Sequence, residues 1–450
     1  MRRNLPRIAA VILTLTLATT AARAWSDHGM ATYRVLSALP EVAAAAPVAA
    51  EPLADFLRAE EAQIEATLAQ TQTWAAGRLE AYPPLPAALR FVADPARSDG
   101  ARQLAFLRAL RVALDARFAL YVQPDRWLDV QGSELPVAAV VTPGSGVLDH
   151  RFLALQPGEQ VAPLAVVASA ADEPDYGLDI GIWTDSRTPW GKEMGMGPLP
   201  FGNPALVFAT QAPMHMGFYH EDRILYLAAP QLRRTYPQLR HHQFAALAQL
   251  AFRSGHPYWG WRFTGLALHY LQDLTQPYHA TVMPGASTLR MLGISVLAKL
   301  GMQRPWDEAI VLLSNRHLAA EAFQSDLIRE AARVRRAGAI ETALQDVRRD
   351  GTLPAWSDDA LRTQVSARAH AAAPALNDAV LAALPDRLVL DPGFDYGVHE
   401  REVDLLREIG PQGKTPGSRA ALEAAIADRM ADFGAFTRAA VRAIVGEVRR

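Results

Sequence analysis

Apolar positions recur at helical spacing along most of the chain. Residues 28–39 carry them every three to four positions. Glu51 to about Tyr82 forms a longer amphipathic stretch carrying Leu53, Leu57, Ile64, Leu68 and Trp74. The "AAAAPVAAEP" between them reads as a connector, and residues 101–121 read as another helix. Residues 122–210 differ. Pro, Gly and Val are frequent there and no helical period persists, which predicts an irregular segment with a few short strands. Helical pattern returns from about 223 and runs, with breaks, to the C-terminus. The pattern as a whole predicts a mainly α protein, a multi-helix bundle with an irregular segment around 122–210.

The first 24 residues break from this pattern. Arg2, Arg3 and Arg7 make a basic start, and Ile8 to Ala18 is an apolar run too short to span a bilayer. Ala22-Arg23-Ala24 then supplies the small residues of a cleavage site. The expectation is a signal peptide over 1–24 and an exported protein, periplasmic or secreted once cut. No later run approaches the ~20 apolar residues of a spanning helix. A main unit over 25–335 and a helical C-terminal extension over 336–450 are expected. The boundary falls near "EAARVRRAGAIETALQDVRRDG", which reads as a solvated helix face, its basic residues also suiting phosphate head groups. "GPQGKTPG" at 410–417 is a loop. A phosphate loop would need a glycine where Glu408 stands.

Composition narrows the chemistry. Half of the residues are hydrophobic, enough for a large core. A net charge of −2 gives no general pull toward nucleic acid or anionic lipid. The chain has no Cys, which removes disulfides and thiolate metal sites; zinc would have to be held by His, Asp, Glu or backbone groups.

With 12 His in 450 residues, ordered spacings of His with carboxylates are informative. The strongest stretch is "TGLALHYLQDLTQPYHA", residues 264–280. His269 and Asp273 are four apart and share a helix face. Pro277 should end or kink that helix, leaving His279 in the turn beyond it. In "RHLAAEAF", His317 and Glu321 repeat the spacing of four, which alone is an ordinary helix feature. "QAPMHMGFYHED" offers His215 and His220, and the upstream "SAADEPDYGLDIGIW" offers Asp172, Asp175 and Asp179 as an oxygen ligand or general base. The residues themselves do not choose among these. His150, His241, His242, His256, His370 and His399 lack comparable partners and read as surface or core histidines.

"HYLQDLTQPYH" resembles the core motif of the bacterial zinc-dependent phospholipases C and of the related single-strand-specific zinc nucleases. "HLAAEAF" resembles the next His-x-x-x-Glu segment of the phospholipases, where the nucleases usually carry Asp. "FYHED" is similar to the short aromatic motif holding an earlier zinc-binding His, but the family has that His just before the Phe-Tyr pair, where this chain has Gly217. Both branches begin their mature chain with Trp, and "WSDHG" at 25–29 fits that pattern. The likeness covers 210–325 and 25–40, is weak over 41–170 and is absent after about 335.

The resemblance implies three zinc ions. One would be held by His269, Asp273, His215 or His220, and an acidic residue, Asp175. A second would be held by His279, His317 and Glu321. A third would be held by the amino and carbonyl groups of Trp25, by His28, and by Asp273 as a bridge. Trp25 would serve only once cleavage after Ala24 frees its amine. The reaction implied is hydrolysis of a phosphodiester by metal-activated water, with Asp175 as the nearby base. The expected function is phospholipase C-like, acting on a phospholipid or other phosphodiester with peripheral membrane contact. The alternatives are a single-strand nuclease on the same scaffold and an exported zinc-binding protein without catalysis. The aromatic run "HPYWGWRF" at 256–263 reads as helix packing, with an interfacial contact as the alternative; the Met-rich "KEMGMGPLPFGNP" at 192–204 reads as a loop or a lid. Head group, base preference and oligomeric state have no signature here.

Overall fold

The computed structural model describes residues 27–124, 132–145, 150–202 and 207–448. The expected signal peptide and Trp25 lie outside the described residues. The protein is mainly helical: of the described residues, 61% are in helices and 3% in strands. The helices that frame the site are α1 (His28–Ser37), α2 (Pro163–Ala171), α3 (Pro237–Arg253), α4 (Pro257–Asp273), the single turn α5 (Pro277–Ala280), α6 (Arg304–Val334), α7 (Ala367–Ala383) and α8 (Ser418–Val448).

Helix α4 is the axis of the molecule. Every residue from Tyr258 to Asp273 is buried, as expected of a helix that is apolar nearly all round. It packs on α3, α2 and α8. Prolines open α2, α3, α4 and α5 at the first helical position, where the missing N–H costs no helical bond. Gly265 allows the close approach of α2. A Cβ there would lie 2.4 Å from the Val167 carbonyl oxygen and 2.6 Å from the Ala170 Cβ.

The segment around 122–210 holds the few short strands expected of it. Tyr121–Val122, Phe152–Ala154 and Glu134–Leu135 form a three-stranded antiparallel sheet, and Gln160–Val161 pairs with Val48–Ala49. It also contains α2, which the sequence pattern did not indicate. "PLAVVASAA" is apolar on every side, so it carries no amphipathic period. Met194 and Met196 are buried in the core, so the Met-rich stretch is packing and not a lid. Trp259, Trp261 and Phe263 are buried as well, which makes "HPYWGWRF" packing and not an interfacial contact.

Position 335 is where α6 ends, with Arg335 in the left-handed region at φ 50°. The core does not divide there. Phe433, Phe436 and Ile444 of α8 belong to the same apolar cluster as Val35 and Leu36 of α1. Among the described residues no helix is long and apolar enough to cross a membrane.

Candidate metal centre

The last turn of α4 carries His269 and Asp273 into the centre. The His269 Nδ1–H donates to the carbonyl of Ala171 at the end of α2, 2.7 Å away. A carbonyl only accepts, so the proton sits on Nδ1 and Nε2 faces inward. That Nε2 lies 3.0 Å from His215 Nδ1, 3.3 Å from Asp273 Oδ2 and 3.8 Å from Asp175 Oδ1. His215 closes the short helix Ala212–His215, with Nδ1 2.9 Å from Asp273 Oδ2 and Nε2 3.4 Å from Asp179 Oδ2.

Pro277 stops α4 and restarts the chain as α5, which turns His279 back toward the end of α4. His279 Nδ1 is 3.4 Å from Asp273 Oδ1, and its Nε2 is 3.1 Å from Glu321 Oε1. One turn earlier on α6, His317 Nε2 is 2.9 Å from the same oxygen, and its ring stacks on Tyr278. His28, at the start of α1, places Nε2 3.5 Å from Asp273 Oδ1 while Nδ1 lies 2.9 Å from Gln272 Oε1. Asp273 is therefore the hub. One oxygen faces His28 and His279, and the other faces His215 and His269.

Three groups result: His28, His269 and Asp273; Asp175, His215 and His269; and His279, His317 and Glu321. Within each, one ligating atom per residue lies within 4.8 Å of the others. Eight of the ten candidates meet here. Trp25 lies outside the described residues. His220 does not join and is corrected to a structural role. Its Nε2 is 2.8 Å from the Arg362 carbonyl and its ring lies beside His370. Between the two histidines the Gly217 N–H donates to the His279 carbonyl, so it is His215 that lies beside the centre while the Arg362 carbonyl takes His220.

The three upstream aspartates divide the work. Asp175 reaches the group. Asp172 accepts from the Gly29 N–H and from Gln123 Nε2, both at 2.9 Å, which ties α1 to the end of α2. Asp179 is fully buried with Arg240, whose Nη2 lies 2.6 Å away, and accepts from Tyr270 at 2.6 Å. It thereby orients His215 from behind. The sequence reading missed Gln272, Tyr270 and Arg240. Gln272 also donates to Thr32 and, at 3.3 Å, to Thr437 of α8, so the C-terminal helix supports the site.

Charge follows geometry. Burial pulls His215 down, but hydrogen bonds to Asp179 and Asp273 outweigh it and raise it to about 10. Burial likewise opposes Asp273 and Glu321 at His279, which still rises to about 9. Burial and the neighbouring His215 depress His269 against the pull of Asp273. Burial lifts Asp175 to about 6 despite His215 and His28. Burial would raise Glu321, but His317 and His279 hold it at about 2.

These residues fit a metal. Asp175 Oδ2 and Glu321 Oε2 are buried with no hydrogen-bond partner, which ligation would supply. The donors are imidazole nitrogen and carboxylate oxygen, a set that suits zinc. All are buried except His317, whose side chain is 14% exposed. No protein-family model matches the chain, and no match is found among curated proteins or solved structures.

Proposed function

We propose that this centre holds zinc and hydrolyses a phosphodiester, in the manner of the zinc-dependent phospholipases C that its motifs resemble, in a protein exported after loss of residues 1–24. The observation that carries the reading is Asp273, one carboxylate facing four imidazoles and joining three donor groups. Zinc, when bound, supplies hydroxide at neutral pH and positive charge against an anionic phosphodiester.

The chain's own residues do the rest. The Ala171 carbonyl holds the His269 tautomer, and Gln272 and Asp179 orient His28 and His215. Asp175, with Oδ1 3.8 Å from both His215 and His269, is the carboxylate placed to accept a proton at the centre. The apolar wall of α4 keeps bulk water out, which strengthens each electrostatic contact inside.

Burial of the centre favours a second reading, a zinc-holding exported protein without hydrolysis. Zinc analysis of the purified protein, with assays on phosphatidylcholine and single-stranded DNA, separates the two. Phosphocholine release supports the first. Nucleotide release alone moves the activity to a single-strand nuclease. Bound zinc with neither product supports the second, and less than one zinc per chain sinks both.

A further inference from the structure

The strongest feature outside the centre is a helical hairpin that the core leaves uncovered. Its first arm is the helix Thr288–Lys299, its tip is Leu300–Gln303, and its second arm is the first three turns of α6. The sequence "TLRMLGISVLAK" is apolar on all sides, a pattern that in a soluble protein marks a buried helix. Here Met291 is the one residue of residues 288–298 that is buried. Leu289 is 81% exposed and Leu300 70%, and Val296, Met302, Trp306 and Ile310 are exposed with them. Isolated apolar residues on a surface need no explanation, but six on one protruding hairpin do.

Charge indicates what covers it. Residues 288–306 carry Arg290, Lys299 and Arg304 and no acidic residue; Asp307 and Glu308 follow on the second arm, so the basic charge is concentrated on the first arm and the tip. Arg290 and Arg304 are exposed on the same hairpin, Arg304 beside Glu308 at 2.7 Å. Leucines, a tryptophan and a basic rim on one protruding element match the two zones of an anionic bilayer surface, acyl boundary and phosphate head groups. We propose that the hairpin 288–310 docks this protein on anionic lipid bilayers, with Leu289, Val296, Leu300, Met302, Trp306 and Ile310 entering the interface. Trp306 stands about 16 Å from His317 along the axis of α6, so docking would hold the metal centre just above the head groups. The proposal concerns binding and stands apart from the chemistry of the centre.

The test is co-sedimentation of the purified protein with vesicles of phosphatidylglycerol mixed with phosphatidylcholine, compared with phosphatidylcholine alone. Binding to the anionic vesicles is expected, weakened at about 0.5 M NaCl. A variant combining Leu289→Ser, Val296→Ser and Leu300→Ser should keep its thermal melt and bind about tenfold or more weakly. If that variant does not fold, Arg290→Glu with Arg304→Glu should weaken binding to the anionic vesicles. No binding by the parent, or equal binding by the folded variants, overturns the proposal. So does a dimer by light scattering that the serine variant turns into a monomer, because a second copy would then cover this face.

Discussion

Zinc uptake by the metal-free protein should release about two protons per chain at pH 7. The perturbation is to strip the metal with a chelator and titrate zinc back. Without metal, the carboxylates around them hold His215 at about 10 and His279 at about 9, so both are protonated at pH 7. Imidazole binds metal only when neutral. At about 1.36 kcal/mol per pH unit, freeing His215 costs roughly 4 kcal/mol and His279 roughly 3 kcal/mol at pH 7. At pH 7 that lowers zinc affinity by about three decades at the His215 group and by about two at the His279 group, each from its high-pH limit. Affinity at each group should climb about tenfold per unit from pH 7, levelling above about 9 at the His279 group and above about 10 at the His215 group. Without metal the sign is the reverse. Both raised values add stability that is complete below pH 6.5 and is lost as pH passes about 9 and then about 10. Calorimetric titration in buffers of different ionisation enthalpy counts the protons. Zinc binding with a count near zero, or an affinity flat from pH 7 to 9, would refute the electrostatic account of this cluster.

Four further outcomes are expected. Arg240→Met leaves the buried Asp179 carboxylate to Tyr270 and His215 alone, so denaturant unfolding should show a loss of about 3 kcal/mol, and a loss below about 1 kcal/mol would contradict the pairing. His215→Ala should lower zinc content while His220→Ala leaves it unchanged; equal losses would return His220 to the centre. Gly265→Ala forces α4 off the Val167 carbonyl, costing about 1–3 kcal/mol less the roughly 1 kcal/mol gained in helix propensity, and it should weaken zinc binding by shifting His269; an unchanged zinc affinity would show that the approach of α2 does not position the site. One extra residue before Trp25 should remove one zinc and most activity, and unchanged zinc content would make that Trp a cleavage remnant.

What was legible in the sequence was local. A carboxylate four residues after a histidine shares its helix face, and Pro277 announced the turn that carries His279, so α4 to α6 and five of the ligating candidates could be read from spacing. The choices that stayed open were those that distant residues make. Asp172, Asp175 and Asp179 look alike in "SAADEPDYGLDIGIW". Gly29 and Gln123 claim the first, and Arg240 and Tyr270 the last, which leaves Asp175 for the centre. His215 and His220 flank one turn, and their distant partners separate them: Asp179, Asp273 and His269 meet the first, and the Arg362 carbonyl takes the second. The same logic separates the two apolar stretches. "HPYWGWRF" and "TLRMLGISVLAK" are both rich in large apolar residues, yet α2, α3 and α8 cover the first and little covers the second. Helix α8 shows how far such influence reaches. Thr437 accepts from Gln272, the residue that orients His28, so a helix beyond the limit of any motif likeness helps to set the geometry at Asp273. A residue's neighbours in sequence can name it a ligand. Whether it becomes one is decided by which buried groups elsewhere in the chain have already taken its rivals.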